Sequence, residues 1–195
     1  MIGYNVDLNK QIKLLHDVIK KNTPLYELIM NAENLELESY YIGAGCIAQT
    51  VWNYQSGNAL MYGISDFDFV YFDGNDLSSE KEEEISHRVK QFASDKIKID
   101  VKNEARVHLW YKDHFGYEIE PYASIETAIN SWPTTATSIG VRIENGHFSV
   151  YAPFGLNDMF GRIVKANKAQ ITKEIFVYKT KKWLLKWPDL TIVPW

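Results

Sequence analysis

The sequence predicts an α+β fold: a small, mixed central sheet flanked by helices, with a helical C-terminal part. Three observations carry this. Amphipathic helical stretches alternate with short strand patterns. Two segments read as strands: residues 66–73, rich in aromatics, and 97–102, which alternate cleanly between apolar and polar positions. No repeat or low-complexity linker divides the chain, so its 195 residues read as one domain. Within it, residues 1–37 form N-terminal helices, 38–155 the core and 156–195 the C-terminal helical part.

Taken in order, Leu8, Ile12, Leu15, Val18 and Ile19 recur at helical spacing and predict a helix over 8–21. Thr23-Pro24 reads as an N-cap followed by proline at the first helical position, opening a helix to about Glu36. Tyr40-Tyr41-Ile42 reads as a strand, Gly43-Ala44-Gly45 as a turn, and Ile47 to Tyr54 as a helix stopped by Gly57-Asn58. The strand DFDFVYFD closes at Gly74-Asn75-Asp76. Ser78 or Ser79, with Glu82 beyond, opens a helix to about Ala93. IKIDVK at 97–102 is a strand; 104–112 and 124–132 are helical. Residues 138–144 and 147–152 form a hairpin turning at Asn145-Gly146. Residues 156–167 and 172–187 are read as helices, the second ended by Pro188.

Composition excludes several classes. Hydrophobic residues are 46% of the chain and charged ones 24%, which excludes a disordered or coiled-coil chain. A net charge of −4 excludes a protein that is basic throughout. The one cysteine, Cys46, excludes an intrachain disulfide framework and fits a reducing cytoplasm. The N-terminus lacks a signal-peptide pattern, and no apolar run is long enough for a bilayer, so no membrane partner is expected. Charge is unevenly spread: Asp66 to Glu84 holds eight acids and one lysine, and Arg162 to Lys186 eight cations and one glutamate. Such separation fits a cation site at one pole and an anion site at the other, or plain surface patterning.

Asp66-Phe67-Asp68 is the most informative element. On a strand, residues i and i+2 share a face, so both carboxylates project together while Phe67 and Phe69 face a core. Adjacent carboxylates repel unless a cation lies between them, and Mg²⁺ takes such hard oxygen ligands. Asp100 has the same character: Ile97, Ile99 and Val101 share one face of their strand, Lys98, Asp100 and Lys102 the other. If the two strands are neighbours, Asp100 completes a three-carboxylate cluster. Gly43, Ala44 and Gly45, between a strand and a helix, would let backbone amides approach an anion at a helix N-terminus. Arg106 is a candidate phosphate ligand or the partner of a surface acid. Arg142 is a buried or substrate-facing cation. Thr134, Thr135, Thr137 and Ser138 are expected to build turns, Asp158 to favour a helix start, and the C-terminal tryptophans to pack the tail onto the domain.

The order of glycine turn, helix, D-x-D strand and single-Asp strand resembles the DNA polymerase beta nucleotidyltransferase superfamily. More closely, the chain resembles a bacterial family of small nucleotidyltransferase-like proteins. The segments GAGCIAQTVWN (43–53), ISDFDFVYFD (64–73), DVKNEARVHLWY (100–111), WPTTATSIGVR (132–142), YAPFGLNDMF (151–160) and WPDLTIVPW (187–195) carry that resemblance. It implies a sheet of the polymerase-beta type, with Asp66, Asp68 and Asp100 as catalytic and metal-binding carboxylates. Gly43, Ala44, Gly45, Ser65, Arg106 and Arg142 become the nucleotide- and phosphate-binding candidates. Mg²⁺ or Mn²⁺ would be the cofactor and an NTP the substrate. A nucleoside monophosphate would pass to a hydroxyl acceptor (a small molecule, protein side chain or RNA end). Where the superfamily often has serine after the glycine, this chain has Ala44 and, beyond Gly45, Cys46. A non-catalytic nucleotide- or metal-binding regulatory module and an RNA-binding partner protein are the alternatives.

Overall fold

The computed structural model describes residues 2–93 and 97–195. A five-stranded mixed sheet runs in the order β3-β2-β1-β4-β5, with β1 Tyr40–Gly43, β2 Phe67–Tyr71, β3 Ile99–Asn103, β4 Gly140–Glu144 and β5 His147–Tyr151. Only the β2–β3 pair is parallel. It needs a crossover, which the helix α4 (Ser79–Lys90) supplies. Asn145 and Gly146 both have positive φ, as the two-residue turn joining β4 to β5 requires.

One face of the sheet carries the main core. Ile42, Phe67, Phe69, Ile99, Val101 and Val141 project into it. Three helices cover them: α1 (Leu8–Ile19), α2 (Thr23–Ala32) and α3 (Gly45–Ser56), which bury Leu15, Ile19, Leu28, Ile29, Val51 and Trp52. α4 adds Ile85 and Val89. The other face is only partly covered. Past the helix α5 (Val107–Phe115), the short helix α6 (Ile125–Asn130) packs Ile125 and Ile129 onto Tyr41 and Val70. The rest of that face, at the end where β1 finishes and β2 and β3 begin, stays open.

Several boundaries differ from the sequence reading. The cap of α2 is Asn22 rather than Thr23, and its buried side chain bonds Thr50 Oγ1 at 2.9 Å instead of capping the helix. α2 ends at Ala32 and gives way to a 3₁₀ turn at Glu33–Leu35. α4 is capped by Ser78 and ends at Lys90, before Ala93. A 3₁₀ turn, Glu104–Arg106, comes before α5.

The largest correction is at 156–167. In place of a long helix there is one turn, α7 (Asn157–Phe160), followed by a short strand, β6 (Ile163–Val164). Local packing stops the helix. A side chain at Gly161 would strike the Tyr4 ring at 2.7 Å. Arg162 then takes a left-handed conformation (φ 53°), held by Gln55 Oε1 and Asp189 Oδ2, each at 3.0 Å. After α8 (Lys173–Leu184), β7 (Thr191–Ile192) pairs in parallel with β6. The C-terminal part is therefore a helix between two paired strands.

Trp187 anchors this segment, as expected for the tail tryptophans. Its ring is buried and meets Trp52 edge-on, and its Nε1 donates to Asn53 Oδ1 at 2.7 Å. Asn53 Nδ2 in turn donates to the carbonyls of Leu60 and Tyr62, which ties down the loop after α3. Trp187→Ala removes a large buried ring and orphans Asn53. Urea denaturation should show a loss of about 3–5 kcal/mol.

Candidate active site

Strand pairing assembles the site. Gly43 on β1 stands opposite Asp68 on β2, and Asp68 opposite Asp100 on β3. The three form a row across neighbouring strands on the open face. Alternation buries Phe67 and Phe69 fully beneath them. Asp66 lies one residue before β2. Its carboxylate accepts from Ser65 Oγ at 2.8 Å and from Lys98 Nζ at 3.3 Å. Asp100 pairs with Lys102 at 3.4 Å.

A cleft of about 410 Å³ opens at Asp68, with Ala44, Gly45, Ser65 and Asp66 also in its lining; Gly43 and Asp100 flank Asp68 on the sheet but do not line it. Burial, with the charges of Asp66 and Asp100, pushes the Asp68 carboxyl up from its ordinary 3.8 to about 7; Lys179 and Lys98 oppose the shift. Such a cluster is electrostatically incomplete without a cation. Its hard oxygen donors fit a divalent ion such as Mg²⁺ or Mn²⁺. As arranged, however, no three His, Cys, Asp or Glu side chains among the described residues converge to hold a metal. Asp66 and Asp100 lean instead on lysines. Both pairs are substantially exposed and screened by solvent, so exchanging them for a cation costs little.

The glycine turn has a steric cause. A side chain at Gly43 would lie 2.3 Å from the Ile139 carbonyl oxygen and 3.0 Å from the Trp132 ring. Ala44 is strained, with φ 57° and ψ −133°. Its amide is already spent on the Ile139 carbonyl at 2.9 Å, so it is not a free anion donor. The first-turn amides of α3, from Gly45 to Ile47, have no carbonyl partner within the helix and lie at its positive end. Cys46 is buried, and its Sγ lies 3.0 Å from the Gly43 carbonyl oxygen.

Neither predicted arginine reaches the cleft. Arg106 pairs with Glu82 and donates to the Leu77 carbonyl, clamping the end of β3 to α4. Arg142 shares the open face but sits farther along β4, stacked on Tyr41 and paired with Glu144 at 2.6 Å. The hydroxyl cluster builds turns: Thr134 and Thr137 bond each other at 2.7 Å, and Ser138 Oγ donates to the Thr134 carbonyl. Thr137 also borders the cleft. Asp158 pairs with Lys165 and accepts from Thr135.

Gln49 and Glu104 line the cleft without having been candidates from sequence, and Lys179 and Trp183 line it as well. Glu104 is buried, and burial beside Asp68 and Glu82 raises its carboxyl to about 8. Its position just after the IKIDVK strand was the available signal. Lys179 and Trp183 come from α8, more than a hundred residues from the D-x-D strand; Lys179 belongs to the cationic stretch read as an anion site or plain surface patterning, and Trp183 to the tryptophans expected to pack the tail.

Comparison with known proteins identifies the fold and the family. A solved NMR structure described as revealing a CCA-adding enzyme head domain superposes with a TM-score of 0.75, at 19% identity, over 99% of this chain and 100% of the other. At that identity the likeness shows the fold. A family model described as Nucleotidyltransferase matches residues 30–192, and the chain belongs to that family. The comparison with curated proteins finds no match. No helix among the described residues is long and apolar enough to cross a membrane.

Two predictions follow from the site's physics. Because the folded pKa of Asp68 lies above its ordinary value, the folded state holds the proton more tightly. Stability therefore falls as pH rises from about 4 to about 7. Asp68→Asn should melt higher than the wild type at pH 8, by at least about 2–4 °C. The two melting curves should converge near pH 4; a constant gap would contradict the assigned shift. Ala44→Gly relieves a left-handed alanine, and chemical denaturation should show a gain of about 1 kcal/mol.

Proposed function

We propose that the protein is a Mg²⁺- or Mn²⁺-dependent nucleotidyltransferase that moves a nucleoside monophosphate from an NTP to a hydroxyl acceptor. The observation that carries this is the row of Gly43, Asp68 and Asp100, set against the N-terminus of α3. Asp66, Asp68 and Asp100 would hold the divalent ion after Asp66 and Asp100 turn away from their lysines. The bound ion supplies positive charge between the carboxylates and the phosphates of the NTP.

The chain's own residues do the rest. First-turn amides of α3, beyond Gly45, cradle the outer phosphates. Ser65, on the cleft wall, holds Asp66 in place. Lys179 brings a cation to the carboxylates, where phosphate charge would gather. Asp100 accepts the proton of the acceptor hydroxyl. The acceptor oxygen bonds to the α-phosphorus, the bond to the bridging oxygen breaks, and pyrophosphate leaves. Catalysis of this kind is mainly positioning and charge stabilisation.

The test uses NTPs radiolabelled at the α-phosphate, with Mg²⁺ or Mn²⁺ and a cell extract. The wild type should transfer label to an acceptor, and Asp66→Ala/Asp68→Ala should lower transfer by at least about a hundredfold. Removing the metal with EDTA should abolish it. Nucleotide binding without transfer from any NTP would instead mark a regulatory module.

A further inference from the structure

A second cleft, of about 810 Å³, adjoins the carboxylate cleft and shares Gln49, Ser65, Lys179 and Trp183 with it. One wall is a face of α8. Along that face, Tyr178, Lys179, Lys182, Trp183 and Lys186 interleave aromatic rings with cations. The opposite wall carries His114 and Phe115 from the end of α5. Tyr178 is 62% exposed, and its ring hydroxyl accepts from Lys182 Nζ at 3.3 Å. Lys182 stands 4.8 Å from the centre of that ring. Lys186 donates to the Gly63 carbonyl at 2.8 Å, which fixes its ammonium at the cleft edge. No carboxylate is bonded to Lys182 or Lys186 among the described residues.

We infer that this second cleft receives the acceptor, and that the acceptor is the end of a single nucleic-acid strand. The inference rests on the nucleotidyltransferase reading and names its acceptor class. Cations that track a phosphodiester chain, interleaved with rings on which bases stack, are the two elements of single-strand recognition. A twelve-residue helix is about 18 Å long, enough wall for a strand end and too short to follow a duplex. The shared residues then place the terminal hydroxyl beside Asp66 and Asp68. The donor NTP occupies the smaller cleft, and Lys179 stands between the two.

The test measures binding apart from catalysis. Fluorescence anisotropy follows a labelled single-stranded RNA pentanucleotide over a range of salt, and calorimetry follows ATP and GTP binding. The wild type should bind the oligonucleotide more tightly than a duplex of the same sequence. Lys182→Gln/Lys186→Gln should weaken it about tenfold or more and flatten the slope of log K against log salt by about 1.4, the effect of two lost contacts to a single strand. Lys182→Gln alone, a change at the solvent-facing side of the cleft, should give half that slope change, which guards against a misfolded double variant. Tyr178→Ala should weaken binding without altering the slope. NTP affinity should stay within twofold of the wild type throughout.

An equal loss of NTP and oligonucleotide affinity in the lysine variants would overturn the inference, since the lysines would then serve the donor triphosphate. So would tight binding of poly-glutamate with none of RNA or single-stranded DNA. Label transfer to a small molecule or a protein would defeat the acceptor assignment and leave the nucleotidyltransferase reading intact. Specific oligonucleotide binding with no transfer from any NTP would defeat that reading instead, and the acceptor assignment with it.

Discussion

The register of three strands is the constraint on which the site depends. Gly43, Asp68 and Asp100 face one another because β1, β2 and β3 pair as they do, and the pairing is held by what lies underneath. Phe67, Phe69, Ile99 and Val101 fill the opposite face. A slip of one residue would put phenylalanine rings in the cleft and carboxylates in the core. Burial of those rings thus fixes the placement of the charges. Gly43 completes the row because only a residue without a side chain fits between the Ile139 carbonyl and Trp132.

Electrostatics sets the character of the cleft. Asp68 is raised because burial strips its hydration while two carboxylates add repulsion. Lys179 offsets part of this from α8, and Lys98 does so from the approach to β3. The result is a group of acids held near cations without a tight buried pair. Tightly buried pairs would be expensive to open. Loose ones leave the carboxylates available to another positive charge.

Much of this was legible in the sequence, and the reason differs between residues. The D-x-D alternation and the IKIDVK pattern are local, and strand geometry converts them directly into faces. The parallel pairing that brings Asp68 and Asp100 together was left conditional, because neighbourhood in a sheet is not a local property. The glycine turn was visible, but the sequence could not show that the Ala44 amide is taken by Ile139. Arg106 reads from sequence as a phosphate ligand or the partner of a surface acid, and Arg142 as a buried or substrate-facing cation; nothing local in the sequence points to Glu82 and Glu144 as their partners. The helix expected over 156–167 failed because Arg162 turns the backbone, held by Gln55 and Asp189, partners far away in the sequence. The place of Lys179 and Trp183 beside the aspartates was hidden for the same reason, since it depends on contacts between distant segments.

The C-terminal part has one further consequence. β6 and β7 run side by side, with Ile163 opposite Thr191, and the whole of α8 lies between them. The two ends of this excursion are therefore about 5 Å apart, the spacing of paired strands. A segment that leaves and returns at one point behaves as a cassette. Its length and surface can drift, or be exchanged between homologues, without moving the strands that carry the aspartates. One wall of the clefts is thereby built on a segment whose two ends are pinned together, while the aspartates stand on strands outside it.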